Sequence, residues 1–217
     1  MLYGIDIFSG AGGLSLGAEM AGIQISYGIE INPSAAKSFI RNHKGAKVIQ
    51  GDIKDIDPSK LKEGNNPVFI IMGGPPCQGF SIAGKRIVDD ERNQLYKGFV
   101  RMVEYFKPQA FVMENVPNIL SMGDGIIKAS IIEDFQSLGY NVQTKVLTAS
   151  DYGVPQNRRR AVFVGTLNST FDFEIPLVEH KVTTSEALSD LPEGNLEEGA
   201  AYPTEAQSEY QKLERRN

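Results

Sequence analysis

The chain has 217 residues and a mass of 23.8 kDa, with 22 Lys and Arg against 27 Asp and Glu, a formal charge of −5. A hydrophobic share of 41% excludes disorder throughout, no run approaches the ~18 apolar residues of a membrane span, and one cysteine, Cys77, excludes an internal disulfide. The acidic balance argues against a strongly basic nucleic-acid binder, but residues 181–217 alone carry four basic against eight acidic groups, so the first 180 are nearly neutral.

The predicted elements alternate. Residues 3–8 read as an apolar strand, Ser9–Gly13 as a glycine turn, and the run from Leu14 to Gly22 as a helix. A strand over 25–30 ends in Glu30, and a helix over Pro33–Arg41 opens on proline, which suits the first helical position. Strands follow at 46–49, before Gly51-Asp52, and at 68–72, before Gly73-Gly74-Pro75-Pro76. A helix is expected over 92–106, with Leu95, Phe99, Met102, Val103 and Phe106 on one stripe. A strand over 109–113 reaches Glu114, then come a helix near 125–138 and strands near 140–147 and 160–166. Beyond about residue 168 the alternation fades, leaving a short helix at 183–191 capped by Thr183 or Thr184 and a polar helix at 203–216 with little to bury. Strands alternating with helices, several apolar throughout, imply an α/β fold with a mostly parallel sheet covered on both faces. Domain boundaries are expected at 1–167, a binding and catalytic domain, and 168–217, an acidic extension. Ligands on such sheets bind beyond the carboxyl ends of the strands. Ser9–Gly13, Glu30, Asp52, Gly73–Cys77 and Glu114 all sit at or just after such ends.

Phe8-Ser9-Gly10-Ala11-Gly12-Gly13 lets backbone approach a ligand and aims helix N–H groups at it. Its spacing departs from the dinucleotide fingerprint, because Ser15 stands where the third glycine would be. Glu30, 20 residues after Gly10, suits the hydroxyls of a ribose, and Asp52 suits an adenine amino group. A tight strand–helix turn with two solvated acids is the plainer alternative. Cys77 is either a buried small hydrophobe or a thiol exposed on a rigid two-proline support. The polar stretch 78–91 after it, with Lys85 and Arg86, suits a lid. Glu114, at the end of a nearly apolar strand, suits a proton donor or begins a helix. Gln156, Arg158 and Arg160 share a face if the segment is extended, or form a solvated basic cluster. His43 and His180 have no metal-ligand spacing and are expected at the surface; no metal is expected.

Together these residues resemble the cytosine-5 DNA methyltransferase family. DIFSGAGG (Asp6–Gly13), Glu30, Asp52, GGPPCQGFS (Gly73–Ser81), ENV (Glu114–Val116) and QNRRR (Gln156–Arg160) match its motifs in order over residues 3–166. The resemblance implies a Rossmann-like fold that uses S-adenosylmethionine. Phe8, Gly10, Gly12, Gly13 and Leu14 would form the cofactor turn. Glu30 would hold the ribose and Asp52 the adenine, beside Ile31 and Ile53, with Pro75 and Leu95 nearby. Cys77 would be the nucleophile, with Glu114, Arg158 and Arg160 around a cytosine flipped out of double-stranded DNA. Pro76, Gln78, Ser81, Lys85, Arg86, Asn115, Val116 and Gln156 would face the substrate.

In this family a target-recognition region and two late motifs follow the basic motif, and the 217 residues contain neither. The expectation is a catalytic half, as a natural subunit completed by a second polypeptide or as a truncated product, that acts poorly alone. A prokaryotic, cytoplasmic modification enzyme fits best. A transfer RNA cytosine-5 methyltransferase shares most motifs, though Gln78-Gly79-Phe80-Ser81 looks more like the DNA enzymes. An inactive cofactor-binding accessory protein is the non-enzymatic alternative.

Overall fold

The computed structural model describes residues 1–61, 66–76, 82–83, 86–87, 94–191, 194 and 204–214, with backbone alone for 82–83, 86–87 and 94. The elements are β1 (Leu2–Ile7), α1 (Gly13–Met20), β2 (Ile23–Glu30), α2 (Pro33–Asn42), β3 (Lys47–Gln50), β4 (Val68–Gly73), the short pair β5 (Ile82–Ala83) and β6 (Arg86–Ile87), α3 (Gln94–Phe106), β7 (Ala110–Asn115), α4 (Ile126–Ser137), β8 (Asn141–Thr148), β9 (Arg159–Thr166), α5 (Thr184–Leu188) and α6 (Glu209–Glu214). Among the described residues no helix is long and apolar enough to cross a membrane.

Seven strands form one sheet in the order β3-β2-β1-β4-β7-β9-β8. β1 pairs in parallel with β2 and β4, β2 with β3, and β4 with β7, whereas β9 runs antiparallel to β7. This is the expected Rossmann-like sheet with one reversed connection. Strand order turns back between β1 and β4, which makes the carboxyl ends of those two strands the natural crevice.

The apolar runs are apolar because both faces are covered. In β4, Ile71 joins a cluster with Phe99 and Met102 of α3, Ile131 and Phe135 of α4, and Phe111 and Phe163 of the sheet. Its neighbours Ile70 and Met72 join a second cluster with Ala18 of α1, Phe39 of α2 and Ile25 of β2. Successive residues of a strand point to opposite faces, so a strand covered twice cannot alternate apolar with polar. On α3, Phe99, Met102 and Val103 are buried as the stripe predicts, and Tyr96 joins them. The Tyr96 hydroxyl donates to Asp134 Oδ2 at 3.0 Å. Burial raises the Asp134 carboxyl above its ordinary value, against the Tyr96 hydrogen bond, which lowers it.

The chain divides into two compact units, Met1–Val146 with Arg160–Phe173, and Leu147–Arg159 with Glu174–Asn217. In the second, Thr183 and Glu186 form a reciprocal capping box at the start of α5. Residues 203–216 are not the free polar helix expected. Among the described residues the helix is α6, where Gln211 is buried: its oxygen accepts from Gln207 and Ser208 N–H, and its amide donates to Ser189 Oγ at 3.1 Å. A polar residue buried with its bonds met anchors α6 to α5 without an apolar face.

Candidate active site at the carboxyl edge of the sheet

Register gathers the site. Ile49, Ile29, Ile7, Gly73 and Met113 lie side by side across β3, β2, β1, β4 and β7. The next residue along four of these strands is therefore Glu30, Phe8, Gly74 or Glu114, and Gln50 pairs with Glu30. The features that the sequence scatters over more than a hundred residues thus occupy one row at one edge.

At the glycine turn, Glu30 does more than face solvent. Its Oε2 accepts from Gly10 N–H at 2.8 Å and its Oε1 from Asn32 N–H at 2.7 Å. Each oxygen keeps a further lone pair for a ligand. Phe8 holds a left-handed backbone, φ 62°. For a bulky residue this costs ~1–3 kcal/mol and marks a geometry imposed by its surroundings. Here it turns the Phe8 side chain into a cavity of about 110 Å³, walled also by Ile29, Ile31, Gly51, Asp52, Ile53, Pro76 and Leu95. Ile31 is 61% exposed, an apolar side chain on a wall that a ligand would cover. Among the described residues Asp52 is the cavity's one acidic edge; its oxygens meet Lys54 N–H at 3.0 Å and Lys54 Nζ at 3.3 Å. An apolar slot with a single carboxylate on its rim, next to a glycine turn with a carboxylate in it, fits an adenosine. A flat aromatic ring could enter the slot, with Asp52 within reach of an amino group and Glu30 within reach of ribose hydroxyls. The sequence had not marked Ile29 and Gly51, whose only signal is being neighbours of Glu30 and Asp52. Pro76 rather than Pro75 lines the cavity. Leu14, expected at the cofactor turn, is half-buried and packs against the second hydrophobic cluster.

Asp6 lies beneath the turn on the α1 face of β1. Its Oδ2 accepts from Ser15 Oγ at 2.6 Å, and its other oxygen has no hydrogen-bond partner among the described residues. Ser15, standing where a dinucleotide fold has glycine, is thus the partner of a buried acid. Burial, partly offset by Ser15, pushes Asp6 up to about 6 from 3.8. Between about pH 4 and 6 the folded chain holds a proton that the unfolded chain has released. Stability therefore falls as pH rises through that window, by about 3 kcal/mol in all. Urea denaturation of wild type and Asp6→Asn checks this: the difference between them should shift by roughly that amount in favour of Asn as pH rises from 4 to 8. A gap that stays constant with pH would contradict it.

Glu114 sits at the end of β7, with Oε2 3.2 Å from Arg160 Nε. A Cβ on Gly74 would fall 2.9 Å from Glu114 Oε1, so only glycine lets the carboxylate lie against this turn. The surroundings of Glu114 are therefore polar and half-open, not the apolar strand end expected. Arg160 reaches it because β9 is antiparallel: Asn115 pairs with Ala161, which puts the start of β9 at the carboxyl end of β7. Asn115, expected to face the substrate, is buried. Its amide nitrogen donates to Pro75 O at 2.8 Å and its oxygen accepts from Val116 N–H, so it ties the end of β7 to the turn after β4. Val116 is half-buried and opens a short 3₁₀ turn over Pro117–Leu120.

The segment before β9 is not extended. Gln156 N–H donates to Val154 O and Arg158 N–H to Gln156 O, two successive three-residue turns. Alternation therefore does not place Gln156, Arg158 and Arg160 on one face. Gln156 and Arg158 are exposed in the second unit. Cys77, Gln78, Ser81 and Lys85, the side chain of Arg86 and most of the expected lid over 78–91 lie outside the described residues; β5 and β6 within it form an antiparallel pair. His180 is exposed as expected, but His43 is buried. It closes the end of α2 with its ring on Phe39, centroids 4.5 Å apart, and its Nδ1 2.9 Å from Glu19 Oε2. One carboxylate partner and one aromatic neighbour suffice to bury an imidazole, and neither is visible as a sequence motif.

This edge gathers a glycine turn, the carboxylates of Glu30 and Asp52 and a Glu114–Arg160 contact at the carboxyl ends of a Rossmann-like sheet. The chain belongs to the C-5 cytosine-specific DNA methylase family, whose model matches residues 2–217. It is 41% identical over 220 residues to the type II methyltransferase M.DdeI of Desulfomicrobium norvegicum, covering 95% of this chain and 53% of that protein. It is 41% identical over 202 residues to M1.HphI of Haemophilus parahaemolyticus, covering 90% and 54%. A solved prophage-encoded protein of E. coli, assigned as a DNA modification methyltransferase, superposes with a TM-score of 0.77 at 35% identity, covering 89% of this chain and 56% of that one. A DNMT2 of Spodoptera frugiperda shares the fold, with a TM-score of 0.69 at 23% identity over 90% of this chain and 61% of that one. The chain spans about half the length of the curated relatives it matches.

Proposed function

We propose that the chain binds S-adenosylmethionine and carries out methyl transfer to carbon 5 of cytosine in double-stranded DNA. The observation that carries this reading is the row at the carboxyl edge, which aligns the Glu30 turn, Gly74 and Glu114 on neighbouring strands. When bound, S-adenosylmethionine supplies an electrophilic methyl group. The chain's own residues account for the rest. Carbon 5 of cytosine is a poor nucleophile until the ring loses its aromaticity. The Cys77 thiolate adds to carbon 6, forming a carbon–sulfur bond and making carbon 5 enamine-like. The thiolate is the reactive form, so positive charge near the site favours the step. Glu114 meets ring nitrogen 3 and the exocyclic amino group, stabilising charge as it develops, and Arg160 orients the Glu114 carboxylate. After methylation, a water molecule from solvent takes the carbon 5 proton, the C–H pair forms the carbon 5–carbon 6 double bond, the carbon–sulfur electron pair returns to sulfur, and the ring is restored. Because the target lies inside a duplex, it must be flipped out, with Gln78, Ser81, Lys85 and Arg86 on the DNA side. Since the chain spans about half of its relatives' length, target selection is assigned to further polypeptide, in the same or a second chain.

Titration calorimetry with S-adenosylmethionine tests the cofactor half of this reading. Wild type is expected to bind. Glu30→Ala, which removes the acceptor of Gly10 and Asn32 as well as the ribose contact, should weaken binding ~10- to 100-fold. A wild type that does not bind, or a Glu30→Ala variant of unchanged affinity, would defeat it.

A further inference from the structure

We propose that His43 and Asn42, at the end of α2, with Glu19 of α1, are positioning residues for the glycine turn and through it for the cofactor; this rests on the cofactor reading above. Three contacts converge there. Asn42 Nδ2 donates to Ala11 O at 2.9 Å. His43 Nδ1 lies 2.9 Å from Glu19 Oε2, with the His43 side chain almost fully buried. A Cβ on Gly12 would fall 1.9 Å from His43 Nε2, so the imidazole edge is the floor on which the Gly12 backbone rests.

The arrangement also sets the imidazole's orientation. The Glu19 carboxylate is an acceptor, so Nδ1 donates its proton to it, and Nε2 is the ring atom that faces Gly12. Gly12 has φ 97°, is the residue from which α1 begins, and donates its N–H to Ser9 O. Gly10, with φ 57°, donates to Glu30. Two left-handed glycines within three residues are intrinsically loose, because glycine populates many alternatives. The ring of His43 below and the Asn42 bond to Ala11 restrict those alternatives from outside the turn. A site whose competent conformation is populated only part of the time loses affinity by that fraction. His43 touches neither the slot nor the strand-end acids, so its effect is on the population of the competent turn.

The test uses the native enzyme and two readouts, the Kd for S-adenosylmethionine and the hydrogen exchange of the Gly10–Gly13 amides without ligand. His43→Ala should speed exchange in the turn and raise Kd about 10-fold, and Asn42→Ala about 3-fold. Glu19→Gln, which keeps an acceptor for Nδ1–H, should stay near wild type. Ile131→Ala in α4, remote in sequence from the turn and chosen to lower Tm comparably, should leave Kd within about 2-fold. His43→Gln retains a donor for Glu19 without the ring, and serves if the alanine variant does not fold. Wild-type Kd and exchange in the His43 variants, or equal weakening in Ile131→Ala, would overturn the proposal. Failure of wild type to bind would instead remove the cofactor reading, while exchange in the turn would still judge the support.

Discussion

Cys77→Ala is expected to lower methyl transfer to DNA by at least ~10,000-fold while leaving the Kd for S-adenosylmethionine within about 2-fold of wild type. The magnitude follows from what the thiolate does. Without addition at carbon 6, carbon 5 remains part of an aromatic ring, and positioning alone cannot make it a nucleophile. Separation of the two readouts follows from the fold. The cavity is walled by residues of the β1, β2 and β3 ends with Pro76 and Leu95, and Glu30 is held by Gly10 and Asn32. None of these contacts uses a thiol. Steady-state kinetics and calorimetry on the same preparation check the pair. Parallel loss of both would mean that the variant misfolds, and retained turnover would remove Cys77 from the chemistry.

Glu114→Ala should lower kcat ~100- to 1,000-fold, the range for deleting one preorganised group that meets developing charge. Glu114→Gln should fall between Ala and wild type. The amide keeps a donor and an acceptor but carries no charge and cannot deliver a full proton. The Kd for S-adenosylmethionine should change little, because Glu114 lies at the end of β7 against Gly74 and Arg160 and is absent from the cavity wall. Single-turnover rates with DNA in excess isolate the chemical step. A Glu114→Ala variant with a wild-type single-turnover rate would exclude the role assigned to this carboxylate.

Much of the architecture was legible because it is written in short-range patterns. The β4 run VFIIM and the stripe of α3 are consequences of double-sided and single-sided burial, and both patterns survive in the sequence. Glycine, proline and acidic residues at strand ends also mark the edge where a parallel sheet binds ligands. Long-range direction was not legible. Nothing near residues 156–160 announces that β9 runs antiparallel, yet that reversal is what carries Arg160 to Glu114. Local backbone was misread in the same segment, since the successive tight turns centred on Pro155 and Asn157 carry no glycine to mark them. Buried polar partnerships were likewise invisible. Nothing in the sequence shows the bond from Asn115 to Pro75 O, and His43 reads as a surface residue until Glu19 and Gly12 are found against it. In each case the partner lies some 20 to 40 positions away, and a single sequence records no pairing at that range.

The central claim joins a cofactor site and a cysteine nucleophile in one cytosine-specific reaction. Intact-mass spectrometry tests it directly, on the native enzyme incubated with S-adenosylmethionine and duplex DNA containing 5-fluorocytosine. Fluorine at carbon 5 cannot leave as the proton does, so the covalent species should accumulate. The predicted product has the mass of protein plus DNA strand plus one methyl group, with the linkage mapped to Cys77 and absent from Cys77→Ala. No adduct from an enzyme shown to bind S-adenosylmethionine, or a linkage at any other residue, would contradict the account.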